Sequence, residues 1–422
     1  MIRYQSTSDF SEIILSCRLA FSKRSWPYLV ATAIPWLVLA GQRSVRRLAI
    51  RASLKRHESS YYRFFSRFKF KPEPFFLALL TQIVQAFGLK KLLIATDDTL
   101  CPKWGKAIFG AASFFDHVRR PRPGFIWGHN WVVLAVVVHL FGTPVALPFW
   151  VALYRPKKGC KDGEFRTRLQ IVAEVLARVR KLFPRMKIDL VADGAYNNRS
   201  IFKPILALGI HLVSRLRVDA VLRRNAPKRR RKGKRGRNPR YGKRLPALKK
   251  IACSGKGWRQ TRVHIYGKHV TLKIKSFEAW WPKAGIKLRI VITRDPQGKR
   301  KPCYLSTTDL TLSPEQIIER FALRWPIEQL FSDVKLLVGL DSAEVRCEKS
   351  VLRHAILAFA LASWTRIWAK KMLSRTQDPP ASFARQLSAL RRDLIAATIS
   401  ASSPRLRGSA RITEDLAALM AA

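Results

Sequence analysis

Two short apolar runs, each ending on a carboxylate, constrain the fold of this chain more than any other feature. KLLIATDD covers residues 91–98, and KIDLVADG covers residues 187–194. Between them lie two Val-rich runs at about 125–155, joined by the turn signal FGTP, and a helical pattern over 165–183. After them, a helix closed by Gly209 precedes a further strand. The predicted order of elements is therefore three strands, a helix, a strand, a helix and a strand. This is an α/β pattern whose central strands are buried on both faces.

The balance of charge predicts a polyanionic partner. The 422 residues include 80 Lys and Arg against 27 Asp and Glu, which gives a net charge of +53 and a pI near 11.2. A compact chain repels itself at this charge, and phosphate groups would neutralise it. Because the basic residues are spread along the chain rather than confined to one amphipathic helix, nucleic acid is favoured as the partner over an acidic membrane surface.

The cellular compartment can be predicted from the six separated cysteines and from two long apolar stretches. No C-x-x-C spacing occurs, so reduced thiols in a cytoplasmic protein are favoured over a zinc site or a disulfide framework. Residues 26–41 contain two prolines and run into GQRSVRR, which indicates a buried helix rather than a signal peptide. Residues 131–154 have His139 and FGTP at their middle, which indicates two strands rather than a membrane span. We expect no membrane partner.

The remaining segments predict the domain organisation. The first 85 residues are mainly helical in pattern, with Arg and Lys residues interspersed among aromatic residues. Ser44 is a candidate N-cap for a helix that begins at Val45. This segment is expected to bind DNA, and a generic helical cap over the core is the alternative. The run RRNAPKRRRKGKRGRNPRYGKR and two alternating runs after it indicate a basic β insertion. The predicted division is 1–85 helical, 86–218 α/β core, 219–300 insertion, 301–345 second part of the core, and 346–422 helical.

Asp97 and Asp193 end the two apolar runs and define a candidate catalytic site. Acidic residues at the carboxyl ends of neighbouring strands meet at one edge of a sheet, where α/β proteins place their sites. Glu328, on a later helix, can complete a cluster of three carboxylates that divalent cations neutralise, and oxygen ligands favour Mg²⁺ or Mn²⁺. Two ions about 4 Å apart serve displacement at phosphorus, so a phosphodiester of DNA or RNA is the expected substrate. Aspartate at a strand end is also common as a helix cap, and spacing alone leaves this alternative open.

The segment FALRWPIEQLFSDVK (321–335) reads as one apolar helix with a charged stripe. At about 100° per residue, Arg324, Glu328 and Lys335 fall close together around the helix. The stripe lies beside apolar positions, whereas a solvated face would lie opposite them. The two cations either bind phosphate beside the carboxylate or form a structural ion pair with it.

The same residues resemble a known family. The pattern F-x2-R-x3-E-x6-K is similar to the Tyr-Arg-Glu-Lys signature of bacterial insertion-sequence transposases, whose catalytic domain is ribonuclease-H-like. DDTLCPKWGKAIFG resembles the segment around the first catalytic aspartate of that family, which reads D-x-T and selects Asp97 rather than Asp98. VADGAYNN resembles the segment around the second and selects Asp193. The resemblance spans roughly residues 90–345.

The resemblance implies a role for each charged residue of the motif. Asp97, Asp193 and Glu328 would be the catalytic residues and the ligands of Mg²⁺ or Mn²⁺, with two ions expected. Arg324 and Lys335 would contact phosphates near the end of the element. These roles favour phosphate binding over a structural ion pair for the two cations.

Six further residues are expected to contact DNA. They are Phe321, Lys103, Arg229, Arg230, Arg231 and Trp280. Phe321 stands where the family has Tyr, and it keeps the ring for packing but lacks the hydroxyl. The three arginines belong to the basic run, which is expected to bind phosphate without base discrimination. For Lys103 the alternative is a solvated loop, and for Trp280 the choice lies between stacking on an extruded base and packing within the insertion.

The function implied by the resemblance is DNA transposition. Such an enzyme hydrolyses a strand at the element end and then directs the freed 3′-hydroxyl against a target phosphodiester. Double-stranded DNA, a homodimer on two ends and a location at the bacterial nucleoid are expected with it. The alternatives are a metal-dependent nuclease of the same fold that never joins strands, and a non-catalytic DNA-binding protein from a decayed element.

Overall fold

The computed structural model describes residues 8–39, 41–116, 124–227, 239–298, 301–374 and 377–402. Predicted DNA contacts at Arg229, Arg230 and Arg231 lie outside these residues. The helices are α1 (Ser8–Leu15), α2 (Trp26–Val38), α3 (Val45–Arg51), α4 (Glu58–Ser66), α5 (Pro72–Ala86), α6 (Arg168–Leu182), α7 (Arg199–Ala207), α8 (Leu248–Cys253), α9 (Pro314–Ala322), α10 (Pro326–Asp333), α11 (Glu348–Leu373) and α12 (Phe383–Ser402). The strands are β1 (Lys91–Pro102), β2 (Ala112–Asp116), β3 (Gly124–Leu140), β4 (Thr143–Tyr154), β5 (Lys187–Ala192), β6 (His211–Arg215), β7 (Arg259–Ile265), β8 (Lys268–Trp281), β9 (Ile286–Arg294) and β10 (Cys303–Thr307).

The chain folds into two compact units. The first unit takes residues 1–89, 98–166 and 328–422, and the second takes 90–97 and 167–327. Strand β1 therefore contributes its first part to the second unit and its last part to the first. The mixture of parallel strands, antiparallel strands and helices confirms the predicted α/β class.

Local signals in the sequence explain several element boundaries. The Ser44 side chain accepts from the Arg47 backbone N–H and so caps α3 at its predicted start. Helix α6 begins with a complete capping box, in which Thr167 and Gln170 satisfy each other's backbone N–H groups. The predicted hairpin between β3 and β4 turns at Phe141 and Gly142, both in the left-handed region with φ of 50° and 75°.

The second unit contains a parallel ladder that continues into an antiparallel one. β5 pairs in parallel with residues 91–96 of β1 on one side and with β6 on the other. Beyond β6 the order is β10, β9, β8, β7, all antiparallel, so the predicted β insertion extends the same sheet. Helix α9 packs on the antiparallel part through Ile317, Ile318 and Ala322.

The first unit is organised around α11, which is buried along most of its length. The N-terminal helices pack against it through aromatic side chains, including Phe75 against Trp364 with ring centroids 5.9 Å apart. Two of its buried arginines have partners within the first unit: Arg353 donates to the Phe68 carbonyl at 2.7 Å, and Arg366 pairs with Asp333 at 3.3 Å. The ladder of β3 with β2 and β4 packs against the same helix through β4.

Two details differ from the sequence interpretation. β1 does not end at Asp97 but continues to Pro102, because its last part pairs with β3 after the parallel ladder with β5 has ended. The segment 321–335 is not one continuous helix. Proline has no N–H to donate and its ring excludes a regular helical turn, so the chain makes i→i+3 bonds from Arg324 and Trp325 before restarting at Pro326.

Within the described ranges, no helix is long and apolar enough to cross a membrane. The stretch 131–154 is the β3–β4 hairpin, and most of 26–41 is α2, in agreement with the sequence interpretation. The predicted domain boundaries stay predictions.

Candidate active site

Asp97 and Asp193 follow directly after the last pair of the parallel ladder. That pair joins Thr96 of β1 to Ala192 of β5, so the next residue on each strand is one of the two predicted catalytic aspartates. Both side chains are half-buried. The register therefore puts both carboxylates at the same carboxyl edge of the sheet, as the sequence predicts.

The turn after Asp193 is fixed by a side chain that sequence reasoning missed. The buried Asn197 amide donates to the Arg215 carbonyl at 2.9 Å and to Ser306 Oγ at 2.8 Å. These bonds attach the turn to β6 and β10. Arg215 is close enough to Cys303, and then to Asp193, for both to raise the pKa of its guanidinium. Asp193 is thus held on a short, anchored turn with a cation nearby.

Arg324 is bound to the first aspartate. Its Nη1 lies 2.9 Å from Asp97 Oδ2, and the two side chains are only 13% and 20% exposed. The guanidinium also lies 5.9 Å from the centre of the Phe321 ring. The structure thus adds Asp97 as a partner of Arg324. The ion pair with Glu328 and the phosphate contact, the two alternatives that the sequence leaves for Arg324, stay predictions.

A second ion pair of the same type lies one helical turn earlier. Arg320 Nη1 is 2.8 Å from Asp189 Oδ2, whose side chain is 8% exposed. Arg320 and Arg324 are four residues apart, the spacing that puts side chains on one helical face. That spacing was the available signal for this pair, and the sequence interpretation did not use it.

Phe321 packs at the edge of the apolar cluster under α9. The cluster contains Ile317, Ile318 and Leu312 together with residues of β7, β8 and β9. Retention of an aromatic ring at this position therefore has a packing reason, independent of any contact with DNA.

In the first unit, Glu328 and Lys335 lie on adjoining segments. Glu328 is half-buried in the first turn of α10. Lys335 belongs to a π-helical segment, Val334–Val338, and its Nζ donates to the Leu100 carbonyl of β1 at 2.6 Å. Arg43 donates to the Leu337 carbonyl at 2.8 Å, and Trp36 Nε1 donates to the Val338 carbonyl at 3.0 Å. The segment that carries Lys335 is consequently fixed from both sides.

The carboxylate oxygens of the candidate site suit a hard divalent cation, and in this conformation one of them is held by an arginine. Among the residues that the structure describes, no three or more His, Cys, Asp or Glu side chains form a group that could hold a metal ion. Arg324 already holds an oxygen of Asp97.

Two other predicted DNA contacts have internal partners. Lys103 is only 9% exposed, its Nζ donates to the Asp341 carbonyl at 3.0 Å, and burial lowers the pKa of its ammonium group. Trp280 Nε1 donates to Asn225 Oδ1 at 3.1 Å, and its ring lies 5.6 Å from that of Tyr241. Contact of either residue with DNA stays a prediction.

Comparison with known proteins shows the family to which the chain belongs. The family model described as DDE superfamily endonuclease matches residues 20–270, more than half of the 422-residue chain. The chain therefore belongs to the DDE superfamily endonucleases, and the predicted relation to DDE transposases is confirmed at that level. A second family model, described as "Archaeal putative transposase ISC1217", matches residues 267–361.

One solved structure and one negative result complete the comparison. The chain is similar to the piggyBac transposase in its synaptic complex with hairpin DNA, with a TM-score of 0.47 and 10% identity over 98% of this chain and 83% of that one. No curated protein sequence matches the chain significantly.

Proposed function

We propose that this DDE superfamily protein is a transposase that cuts DNA at the ends of a mobile element and joins the freed 3′-hydroxyl to target DNA. The observation that carries the proposal is the register of β1 and β5, which sets Asp97 and Asp193 side by side at one sheet edge. The motif adds Glu328 as the third carboxylate. The net charge of +53 supports DNA as the partner.

Each charged residue has a task in this proposal. Asp97, Asp193 and Glu328 form the catalytic set, and Mg²⁺ or Mn²⁺ dependence follows from their all-oxygen chemistry. Arg324 and Lys335 hold phosphates of the strand that is cut, since a guanidinium and an ammonium bind phosphate oxygens through charge-assisted hydrogen bonds. Action on two element ends implies at least a homodimer in the active complex.

Asp97→Asn tests the assignment. With DNA that carries the sequences flanking the coding region, we expect Mg²⁺- or Mn²⁺-dependent cleavage to fall by about three orders of magnitude or more, with DNA binding retained. Asp98→Asn is the matched control, because Asp98 is the adjacent aspartate and accepts from Asn130 at 3.1 Å. Retained cleavage by the Asp97 variant would disprove the assignment.

A strand-transfer assay with pre-cut ends separates the transposase from a nuclease of the same fold. Joined products support the proposal, whereas cleavage without joining supports the nuclease. If the wild-type protein binds DNA but neither cuts nor joins it with either metal, the non-catalytic alternative is supported.

A further inference from the structure

The insertion contains a cavity that none of the predicted catalytic residues lines. It has a volume of about 540 Å³ and lies where β7, β8 and β9 run side by side. Its lining includes Trp258, Arg259, Gln260, Lys273, Arg294 and Asp295. A cavity of this size is in the range that holds a small polar ligand or one unit of a polymer. We call it the insertion pocket.

Two cations face each other across strands in the insertion pocket. The register pairs Gln260 with Lys273 and Lys273 with Arg294, and all three side chains are exposed. Like charges directly opposite each other on an antiparallel sheet destabilise it, so this pair has an unfavourable energy unless an anion lies between the two side chains. The third cation, Arg259, already pairs with Glu315 at 2.7 Å.

A buried lysine adds to the positive charge of this region. Lys275 is 7% exposed, and its Nζ donates to the carbonyls of Ile251 and Ser254 at 2.7 Å each, near the end of α8. Burial, and then the charge of Arg294, lower the pKa of Lys275. Asp295 is the one carboxylate among the lining residues, and it accepts from the backbone of Gln297 at 3.1 Å.

Trp258 gives the insertion pocket a fixed apolar wall. Its Nε1 donates to the Ser254 carbonyl at 2.9 Å, and Lys275 Nζ lies 4.7 Å from the ring centre. The indole is thus held by a hydrogen bond and a cation–π contact rather than left to rotate. An anion-binding pair beside a fixed apolar ring suits a ligand with a phosphate and an adjoining apolar ring.

We propose that the insertion pocket is a second DNA-binding site, in which Lys273 and Arg294 hold one backbone phosphate and Trp258 contacts the adjoining deoxyribose. The choice of DNA as the polymer rests on the proposed function, whereas the binding of a phosphodiester rests on the pocket itself. The site is separate in its residues from Asp97, Asp193, Arg324 and Lys335. Its role is to hold a DNA segment away from the bond that is cut.

The test compares Lys273→Gln/Arg294→Gln with Arg262→Gln. Arg262 is an exposed cation on β7 of the same sheet and does not line the insertion pocket. Fluorescence anisotropy with duplex DNA over a range of salt concentrations should show about tenfold weaker binding for the double variant near physiological salt. Its slope of log affinity against log salt should be smaller by about one, because one phosphate contact is lost. The Arg262 variant should stay within about threefold of the wild type.

Labelling of the unmodified protein gives a second readout. Lys273 should be protected from acylation by an N-hydroxysuccinimide ester when DNA is bound, while Lys268, exposed on the same strand and outside the pocket, should react as before. Equal affinities of the double variant and the Arg262 variant, or equal labelling of Lys273 with and without DNA, would overturn the proposal. Neither result bears on the Asp97 assay, which tests the proposed function by itself.

Discussion

At the scale of single residues, the contact between Arg324 and Asp97 is the most informative one in the candidate site. A guanidinium 2.9 Å from a largely buried carboxylate occupies the oxygen that a metal ion would need. For the motif to act as proposed, Arg324 must exchange this carboxylate for a DNA phosphate. Asp97 would then be available for a cation only in the DNA complex.

Arg324→Gln should therefore strengthen the binding of Mn²⁺ to the DNA-free protein. A hydrogen bond between charged groups contributes about 1.5–3 kcal/mol, so its removal should lower the Kd by about tenfold or more. Electron paramagnetic resonance of free Mn²⁺ measures this without any cleavage. Arg320→Gln is the control, because it removes an equal charge one turn away, from Asp189. A Kd that Arg324→Gln leaves unchanged would contradict the exchange.

At the scale of elements, the sequence predicted regular structure well wherever one local rule decides it. The structure reproduces the predicted start of α3 after Ser44 and the predicted turn of the β3–β4 hairpin, which it locates at Phe141 and Gly142. The continuation of β1 past Asp97 was not predictable, because it depends on pairing with a strand that comes later in the chain. Long-range pairing leaves no local signal in β1 itself.

The candidate site likewise has features that could be predicted from local sequence and features that could not. The positions of Asp97 and Asp193 follow from strand periodicity, so they could be predicted. The contact of Arg324 with Asp97 was not predicted, since the two residues are 227 positions apart in the chain and no local pattern joins them. Asn197 was equally hidden, because its importance lies in contacts with β6 and β10, more than 15 and 100 residues further along the chain.

The π-helical segment that carries Lys335 depends on one glycine. Gly339 has φ of +81°, and an added Cβ would lie 2.6 Å from Ser342 Oγ and 2.8 Å from Arg43 Cδ. Gly339→Ala should lower the free energy of unfolding by about 2–4 kcal/mol, the sum of backbone strain and displacement of Arg43.

Urea unfolding measures this change, and the chain offers a matched control. Gly88 also has a positive φ, of +59°, but nothing lies within 4 Å of its added Cβ. Gly88→Ala should therefore cost only the backbone term, about 1 kcal/mol. Equal losses in the two variants would mean that Arg43 does not hold the segment.

At the scale of the whole molecule, a large positive charge coexists with an apolar interior that contains ionisable groups. His129 and His354 are both buried in the first unit, and burial lowers the pKa of His129 to about 4 and that of His354 to about 3. Both are then neutral in the folded protein at neutral pH. In the unfolded chain they regain an ordinary pKa near 6.5.

The protein should consequently lose stability as the pH falls below about 6.5. In that range the unfolded state binds more protons than the folded state, so the free energy of unfolding decreases with acidification until the folded pKa values are reached. Between pH 7.5 and pH 5, each buried histidine should contribute a loss of about 2 kcal/mol. His354→Leu should reduce this pH dependence in urea unfolding, while the exposed His139→Leu should keep it. An identical dependence in both variants would refute the assignment to His354.

The doublet Asp97-Asp98 has a consequence for how this gene can tolerate insertions and deletions. Successive residues of a strand point to opposite faces of the sheet. The two aspartates therefore have the same side chain, but their side chains point to opposite faces. Loss of one codon between Lys91 and Thr96 would bring Asp98 into the place of Asp97 and leave a carboxylate there, yet every residue between the deletion and Asp98 would change to the opposite face of the sheet. The second aspartate therefore cannot replace the first unless part of the strand also changes face.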